Sequence, residues 1–348
     1  MNKLEVLTLN EKDRWNEIVK SFSKHEVFYL PEYVEAYRNT GDGEPLLFYY
    51  NDCETRAINV VMKRDISTFE KLKYKIPANT YFDFSSPYGY GGFIIEGENY
   101  KEVNNSYNEY CRANSIVCEF VRFNLFSKYQ DKYDGTVQNL KHNVIRPINM
   151  SPEEMLMDFE HKVRKNIKRA IANNLKVEVD INGEKIDDFL NIYYKTMDRN
   201  SAEKDFYYDK AFFNKINEMK DNVAYFNVIH ENKAISTELI IYNDMSAYSY
   251  LGGTLSEYFN LRPNDFIKYE IIKWLYDKKI SNFVLGGGYG REDDGIFKYK
   301  KSFSPNGIVD FYIGKKIFND EVYNQLIELR KKDNDFDIES SFFPLYRS

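Results

Sequence analysis

The chain has 348 residues, more than one hydrophobic core usually serves, so two domains are expected. With 43% hydrophobic and 17% aromatic residues, including 30 Tyr and 26 Phe, it has ample core material, which excludes a disordered chain. A net charge of −6 argues against broad nonspecific affinity for DNA, three scattered cysteines argue against a disulfide framework, and four unclustered histidines argue against a metal site.

In chain order, Met1 to Lys12 lacks a signal-like apolar run, and no later stretch has the length of a membrane span, so a cytoplasmic location is expected. A helical Pro31 to Arg38 precedes two strands, Leu46 to Tyr50 and Ala57 to Met62, around a polar turn. A central strand follows at Ile116 to Phe123. The same order returns later: a helix at Lys210 to Met219, strands at Ala224 to Ile229 and Ser236 to Tyr242, then a central strand at Ala247 to Leu251. This repetition predicts an α/β (α+β) fold of two related domains, each a mixed sheet flanked by helices. No sustained heptad pattern calls for a coiled-coil arm.

Arg146-Pro147 and Ser151-Pro152 interrupt the pattern and place a boundary near Met150, giving domains 1–149 and 150–348. Ser151 and Glu154 form a capping box opening one long helix. Met155, Leu156, Phe159, Val163, Ile167, Ala170 and Ile171 line its apolar side, while Lys162, Arg164, Lys165, Lys168 and Arg169 line the other. That basic side reads either as a phosphate-binding face, with Arg164 and Lys168 reaching a donor, or as a solvated surface.

Downstream, Leu261-Arg262-Pro263-Asn264-Asp265 leads from the strand ending at Gly252-Gly253 into a helix. Gly286-Gly287-Gly288-Tyr289-Gly290 then permits close approach of a ligand to the backbone or is a turn-rich loop; it is not a dinucleotide fingerprint.

Together, Leu285-Gly286-Gly287-Gly288 and Gly295-Ile296-Phe297-Lys298-Tyr299-Lys300-Lys301-Ser302-Phe303 resemble the closing signature of FemAB-like proteins and their acetyltransferase-like relatives. Arg164 to Ala170, Thr196-Met197-Asp198-Arg199, Leu261 to Asn264 and Ser86-Pro87-Tyr88-Gly89-Tyr90-Gly91-Gly92 agree with it, so the resemblance spans most of the chain. It implies two GNAT-like domains and transfer of an acyl or aminoacyl group to an amine of a cell-envelope precursor, either a peptidoglycan peptide or an amino sugar of a surface glycan. No tightly bound cofactor is implied; acyl-CoA or aminoacyl-tRNA serves as donor. A lipid-linked acceptor would bring peripheral membrane contact.

In the resemblance, Lys300 stabilises charge on the reacting carbonyl, as amide formation requires. The backbone beside Leu251-Gly252 offers a second donor, and Asp83, Glu270 and Tyr250 are candidate proton acceptors, with the base left open. Gly252, Arg262 and Asn264 join Arg164 and Lys168 on the donor side; Arg38, Asp83, Tyr88, Tyr90 and Arg199 are the acceptor candidates.

The chain departs from the pattern in three places. The usual Arg/Gln-x-x-Gly-x-Gly/Ala loop for coenzyme A is missing, and Asp265 places negative charge where a phosphate would sit. The Pro-Tyr-Gly-Tyr-Gly-Gly stretch replaces a Pro-Arg-Gly-Pro one, and Tyr37 or Arg38 stands where a lysine would hold the acceptor pyrophosphate. Two alternatives stay open: an acyl-CoA-dependent N-acetyltransferase of a small or sugar amine, and a noncatalytic binding module.

Overall fold

The computed structural model describes residues 3–289 and 294–348; Met1 and Gly290, both used in the sequence reading, lie outside them. The chain packs as two units, residues 1–140 with 311–348, and residues 141–310.

In the first unit, β1 (Leu4–Leu7), α1 (Lys12–Lys20) and α2 (Pro31–Asn39) precede a hairpin of β2 (Glu44–Asn51) and β3 (Arg56–Asp65). Asp52 makes the hairpin turn by accepting from the Glu54 amide at 3.2 Å, an Asx turn, and from the Thr55 amide at 2.7 Å, so Asn51 pairs with Arg56. β4 (Phe82–Ser85), β5 (Ile94–Glu96), α3 (Tyr100–Ala113) and β6 (Ile116–Arg122) follow. β4 and β6 run parallel. Their apolar residues fill one core with Phe48, Val61, Tyr107 and Val121.

β7 (Thr136–Pro147) leads into the second unit, where α4 (Pro152–Asp158), α5 (His161–Ala172), β8 (Lys176–Asp180), α6 (Ile186–Arg199) and α7 (Lys210–Asn217) precede the second hairpin, β9 (Val223–His230) and β10 (Lys233–Tyr242). Its turn uses Glu231 and Asn232 at φ 49° and 63°, the left-handed geometry of a tight hairpin. β11 (Ser246–Thr254), α8 (Pro263–Asp277), β12 (Asn282–Gly286) and α9 (Gly295–Lys301) complete it. β11 and β12 are its parallel pair. α8 drives Ile267, Ile271, Ile272 and Leu275 against Phe226, Ile240 and Phe283. Each buried aliphatic side chain of this kind contributes about 1.5–3 kcal/mol.

The expected repeat is present: with a last strand, β13 (Ile308–Ile317), strand orders are β1-β2-β3-β4-β6-β13 in the first unit and β8-β9-β10-β11-β12-β7 in the second, each with one parallel pair. The expected division at 149/150 is not the one the packing draws. β7 bonds to β12, while β13 bonds to β6 and is followed by α10 (Asp320–Arg330), whose Val322 and Leu326 pack on Val117 and Cys118. The last 38 residues therefore belong with the first unit.

The long helix expected from Ser151 is two helices. The capping box is present, but Phe159 is extended at ψ 156° and ends α4. Ile171, placed on the apolar side, is 53% exposed. Among the described residues, no helix is long and apolar enough to cross a membrane.

Candidate active site

The second unit's sheet opens where its parallel pair parts. β11 pairs with β12 only from Ser246 to Tyr248, while its ladder to β10 continues to Thr254. Past Val284, β12 turns toward β7 through an irregularity at Gly286, whose φ of 83° suits glycine. On the other side of the opening Ser249 pairs with Ile240 and Leu251 with Leu239, leaving Tyr250 as the extra residue of a bulge. The backbone of residues 249–253 is thereby offered to an extended ligand.

Lys300 stands at this opening. Asp294 caps α9 by accepting from the Phe297 amide at 2.7 Å, which aims the helix at the glycine run. Lys300 Nζ donates to the Gly287 carbonyl at 2.6 Å. Burial, reinforced by the neighbouring Lys268 ammonium, pushes the Lys300 pKa down to about 8 against the opposing pull of Glu238. Lys268 and Glu238 form an ion pair, 7% and 5% exposed, and Lys268 also donates to Ser249 Oγ at 2.6 Å. Lys141 Nζ donates to the Gly288 carbonyl at 2.9 Å. With Lys268 balanced by Glu238, Lys300 and Lys141 leave the local charge positive, and an ammonium has three protons to give.

The N-terminus of α8 is already engaged. Arg262 adopts φ 68° before Pro263 at the first helical position. Thr254 Oγ1 donates to Asn264 Oδ1, and Tyr299 OH donates to the Asn264 carbonyl at 2.9 Å. Asp265 accepts from Asn166 Nδ2 at 3.2 Å. Burial pushes the Asp265 pKa up to about 6, opposed by the Asn166 hydrogen bond and by Arg262 and Lys162.

Because the folded pKa of Asp265 is raised, its ionised form costs stability, and the cost grows as pH rises from about 4 to about 6. Asp265→Asn keeps the shape and removes the charge. Its expected gain in unfolding free energy is close to zero at pH 4 and at most about 3 kcal/mol at pH 8. Urea melts at the two pH values check this; an equal effect at both would contradict it.

Several sequence candidates meet here: Lys300, Tyr250, Gly252, Asn264 and Arg262. A Cβ on Gly252 would come within 2.5 Å of the Thr237 carbonyl, so this glycine lets β11 lie close on β10. Arg262 Nε is buried without a hydrogen-bond partner among the described residues, which leaves a donor in hand.

Others are placed elsewhere. Glu270 is held by Lys273 at 2.9 Å and sits two residues from Lys268, a spacing that does not share a helix face, so it is displaced as a proton acceptor. Arg164 donates to the Met157 and Phe159 carbonyls at 2.6 and 2.9 Å and closes the end of α4 instead of reaching a donor. Lys168 is exposed on α5. Arg199 donates to the Thr254 carbonyl at 2.8 Å and lies 5.0 Å from the Phe259 ring centroid, fastening the end of β11.

In the first unit, Asp83 is fully buried between Arg64 and Arg347, each Nε at 2.6 Å, and is structural. Arg38 pairs with Glu44 at 2.8 Å on the surface. Tyr88 stacks on Tyr37 at 5.6 Å and accepts from Tyr33 OH at its carbonyl at 2.7 Å. Tyr90 is wedged edge-on against Phe28 and Phe311 at 5.4 and 5.5 Å.

Glu238 and Lys268 went unrecognised in the sequence. The available signal was Lys268 on the apolar side of its helix, one turn before Ile271 and Ile272.

Among the described residues, no group of three or more His, Cys, Asp or Glu side chains is placed to hold a metal ion. Residues 159–301 match the family Acetyltransferase (GNAT) domain. No curated protein matches the chain. FemX shares the fold with a TM-score of 0.68 at 16% identity, over 93% of this chain and 100% of its own. A conserved protein of unknown function from Bacteroides thetaiotaomicron follows at 0.57 and 11%, over 90% and 99%. The C-terminal domain of a protein described as a lysylphosphatidylglycerol synthetase, from Agrobacterium fabrum, gives 0.55 and 10%, over 88% and 92%. At such identities these likenesses show the fold. Residues 159–301 therefore carry a GNAT acetyltransferase domain, and the chain shares the FemX fold over most of its length.

Proposed function

We propose that the chain moves an aminoacyl or acyl group onto an amine of a cell-envelope precursor on the cytoplasmic side of the membrane, and that an aminoacyl ester is its preferred donor. The observation that carries the donor preference is Asp265, a buried carboxyl at the N-terminus of α8. Acetyltransferases of the GNAT type place a coenzyme A pyrophosphate at such a helix end, and a carboxylate there repels it. An aminoacyl ester brings no diphosphate to that point. The lysylated product in the name of the Agrobacterium neighbour accords with this reading.

In the reaction the acceptor nitrogen attacks the ester carbonyl and a C–N bond forms; the ester C–O bond then breaks with its electron pair passing to the donor oxygen, which takes up the proton lost by the nitrogen and leaves as the free hydroxyl. Negative charge builds on the carbonyl oxygen as the tetrahedral state forms. Lys300 supplies the positive donor there, and the open β11 edge beside Leu251-Gly252 supplies amides. Tyr250, on its bulge, is the remaining second-unit candidate for relaying the acceptor's proton.

The match to an acetyltransferase domain favours a second reading, with acyl-CoA as donor. Incubating the protein with acetyl-CoA or with charged tRNA, each with a muropeptide or an amino-sugar precursor, separates the two by mass of the amide product. Product from charged tRNA alone is expected. Product from acetyl-CoA alone would replace the aminoacyl reading with the acetyl one.

A further inference from the structure

Two lysines of the second unit stand near one buried carboxylate, and the fold gives it to the one that faces the core. Register on β10 and β11 sets Glu238 beside Gly252 and Ile240 beside Ser249, next to the Tyr250 bulge. Lys268 reaches this face from α8: its Nζ pairs with Glu238, donates to Ser249 Oγ at 2.6 Å and lies 5.6 Å from the Phe283 ring centroid. It therefore touches β10, β11 and β12 where the parallel pair parts. Among the described residues Glu238 has its ion pair with Lys268 alone, whereas Lys300 has no ion pair and donates to the Gly287 carbonyl. Lys268 and Glu238 both act on Lys300 through space, as do Lys141 of β7 and Asp294, the cap of its own helix. The glycine run against which Lys300 leans brings no charge.

A buried ion pair gains a fold little over an apolar pair of the same volume, so Glu238 and Lys268 call for a role beyond stability. Without Lys268 the Glu238 carboxylate would stand uncompensated in the core, and Lys300, on a flexible four-carbon stem, is a cation on which it already acts. Lys268 prevents that capture because α8 and the Ser249 hydroxyl hold its ammonium in place. We propose that Lys268 is a positioning residue for the acyl transfer: by occupying Glu238, it leaves the Lys300 ammonium at the glycine run, where it meets the donor carbonyl. The consequence for rate rests on the acyl-transfer reading above; the masking of Glu238 does not.

Trace acetylation of the full chain with acetic anhydride over a range of pH, read at Lys300 by fragment mass, follows the neutral fraction of that amine, and amide formation is assayed on the same samples. The wild-type midpoint is expected at about 8. Lys268→Gln keeps a donor for Glu238 and Ser249 but deletes the charge. Its Lys300 midpoint is expected to rise by about one pH unit, since a like charge is gone and a carboxylate is bare. Its kcat is expected to fall about tenfold, with KM for the acceptor little changed. Glu238→Gln combined with Lys268→Met removes both charges and keeps the shape, so the midpoint should return to within about half a unit of wild type and kcat should exceed that of Lys268→Gln. A pair with structural work alone would alter melting in these variants and leave the Lys300 midpoint where it was. An unmoved midpoint in Lys268→Gln, or a double variant displaced as far as the single one, would overturn the proposal. Should Lys268→Gln fail to fold, the double variant decides alone, and a displacement beyond about half a unit overturns it. Midpoints that move as expected in a protein that forms no amide would strike the acyl-transfer reading and leave the masking of Glu238 standing.

Discussion

Lys300→Ala is expected to lower kcat by about 10²–10³, with KM for the acceptor little changed, because its ammonium meets charge that exists only near the transition state. Lys300→Arg keeps a positive donor but cannot reproduce the compact reach to the Gly287 carbonyl, so partial activity is expected. The pH profile separates this role from a structural one. With its pKa pushed down to about 8, Lys300 is mostly cationic at pH 7, and the wild-type rate should turn down as pH rises past about 8. Lys300→Arg should lack that alkaline limb. Stability should move the other way: burial of the charged lysine costs the fold below about pH 8, so Lys300→Met is expected to melt no lower than wild type at pH 7. Full turnover in Lys300→Ala, or an alkaline limb unchanged in Lys300→Arg, would remove the lysine from the chemistry.

Asp83→Asn is expected to have the largest effect on stability, a loss of about 3–5 kcal/mol by urea melting. The carboxylate is fully buried and accepts from Arg64 Nε and Arg347 Nε at 2.6 Å and from Tyr346 OH at 2.8 Å. Burial alone would raise its pKa, but the two guanidinium groups outweigh it and hold the carboxyl below its ordinary value. The stabilisation is therefore present above the unfolded pKa of about 4 and lost as pH falls through the lower folded one. Removing the charge strands two guanidiniums and loosens the C-terminal turn that carries Tyr346 and Arg347. If Asp83→Asn melts within 1 kcal/mol of wild type, the three-way contact is not what anchors that turn.

Much of the architecture was readable in the chain because it depends on local periodicity. Both hairpins, the helices before them and the strand leading into Arg262-Pro263 follow from alternating apolar residues, turn formers and a proline at the first helical position. Lys300 was reached through the segment Gly295 to Phe303 and its resemblance, since nothing in one lysine's immediate surroundings marks it as buried. The break at Phe159 escaped notice because Arg164, five residues on, satisfies the carbonyl groups that an uninterrupted helix would have bonded internally.

The sequence by itself determined the paired α/β pattern, the glycine run beside the Lys300 helix and the acidic residue at the start of α8. Only the tertiary structure decided which strand completes each unit's strand order, β13 in the first and β7 in the second, because these pairings join residues as distant in the chain as Ile313 with Arg122 and Asn282 with Pro147 and leave no local mark. It also decided the charges: Lys268 found Glu238, 30 positions away, and Asp83 found Arg347, 264 positions away. An ionisable side chain has the same letter in water and in a core, and its pKa and role are set by which neighbours the fold brings to it.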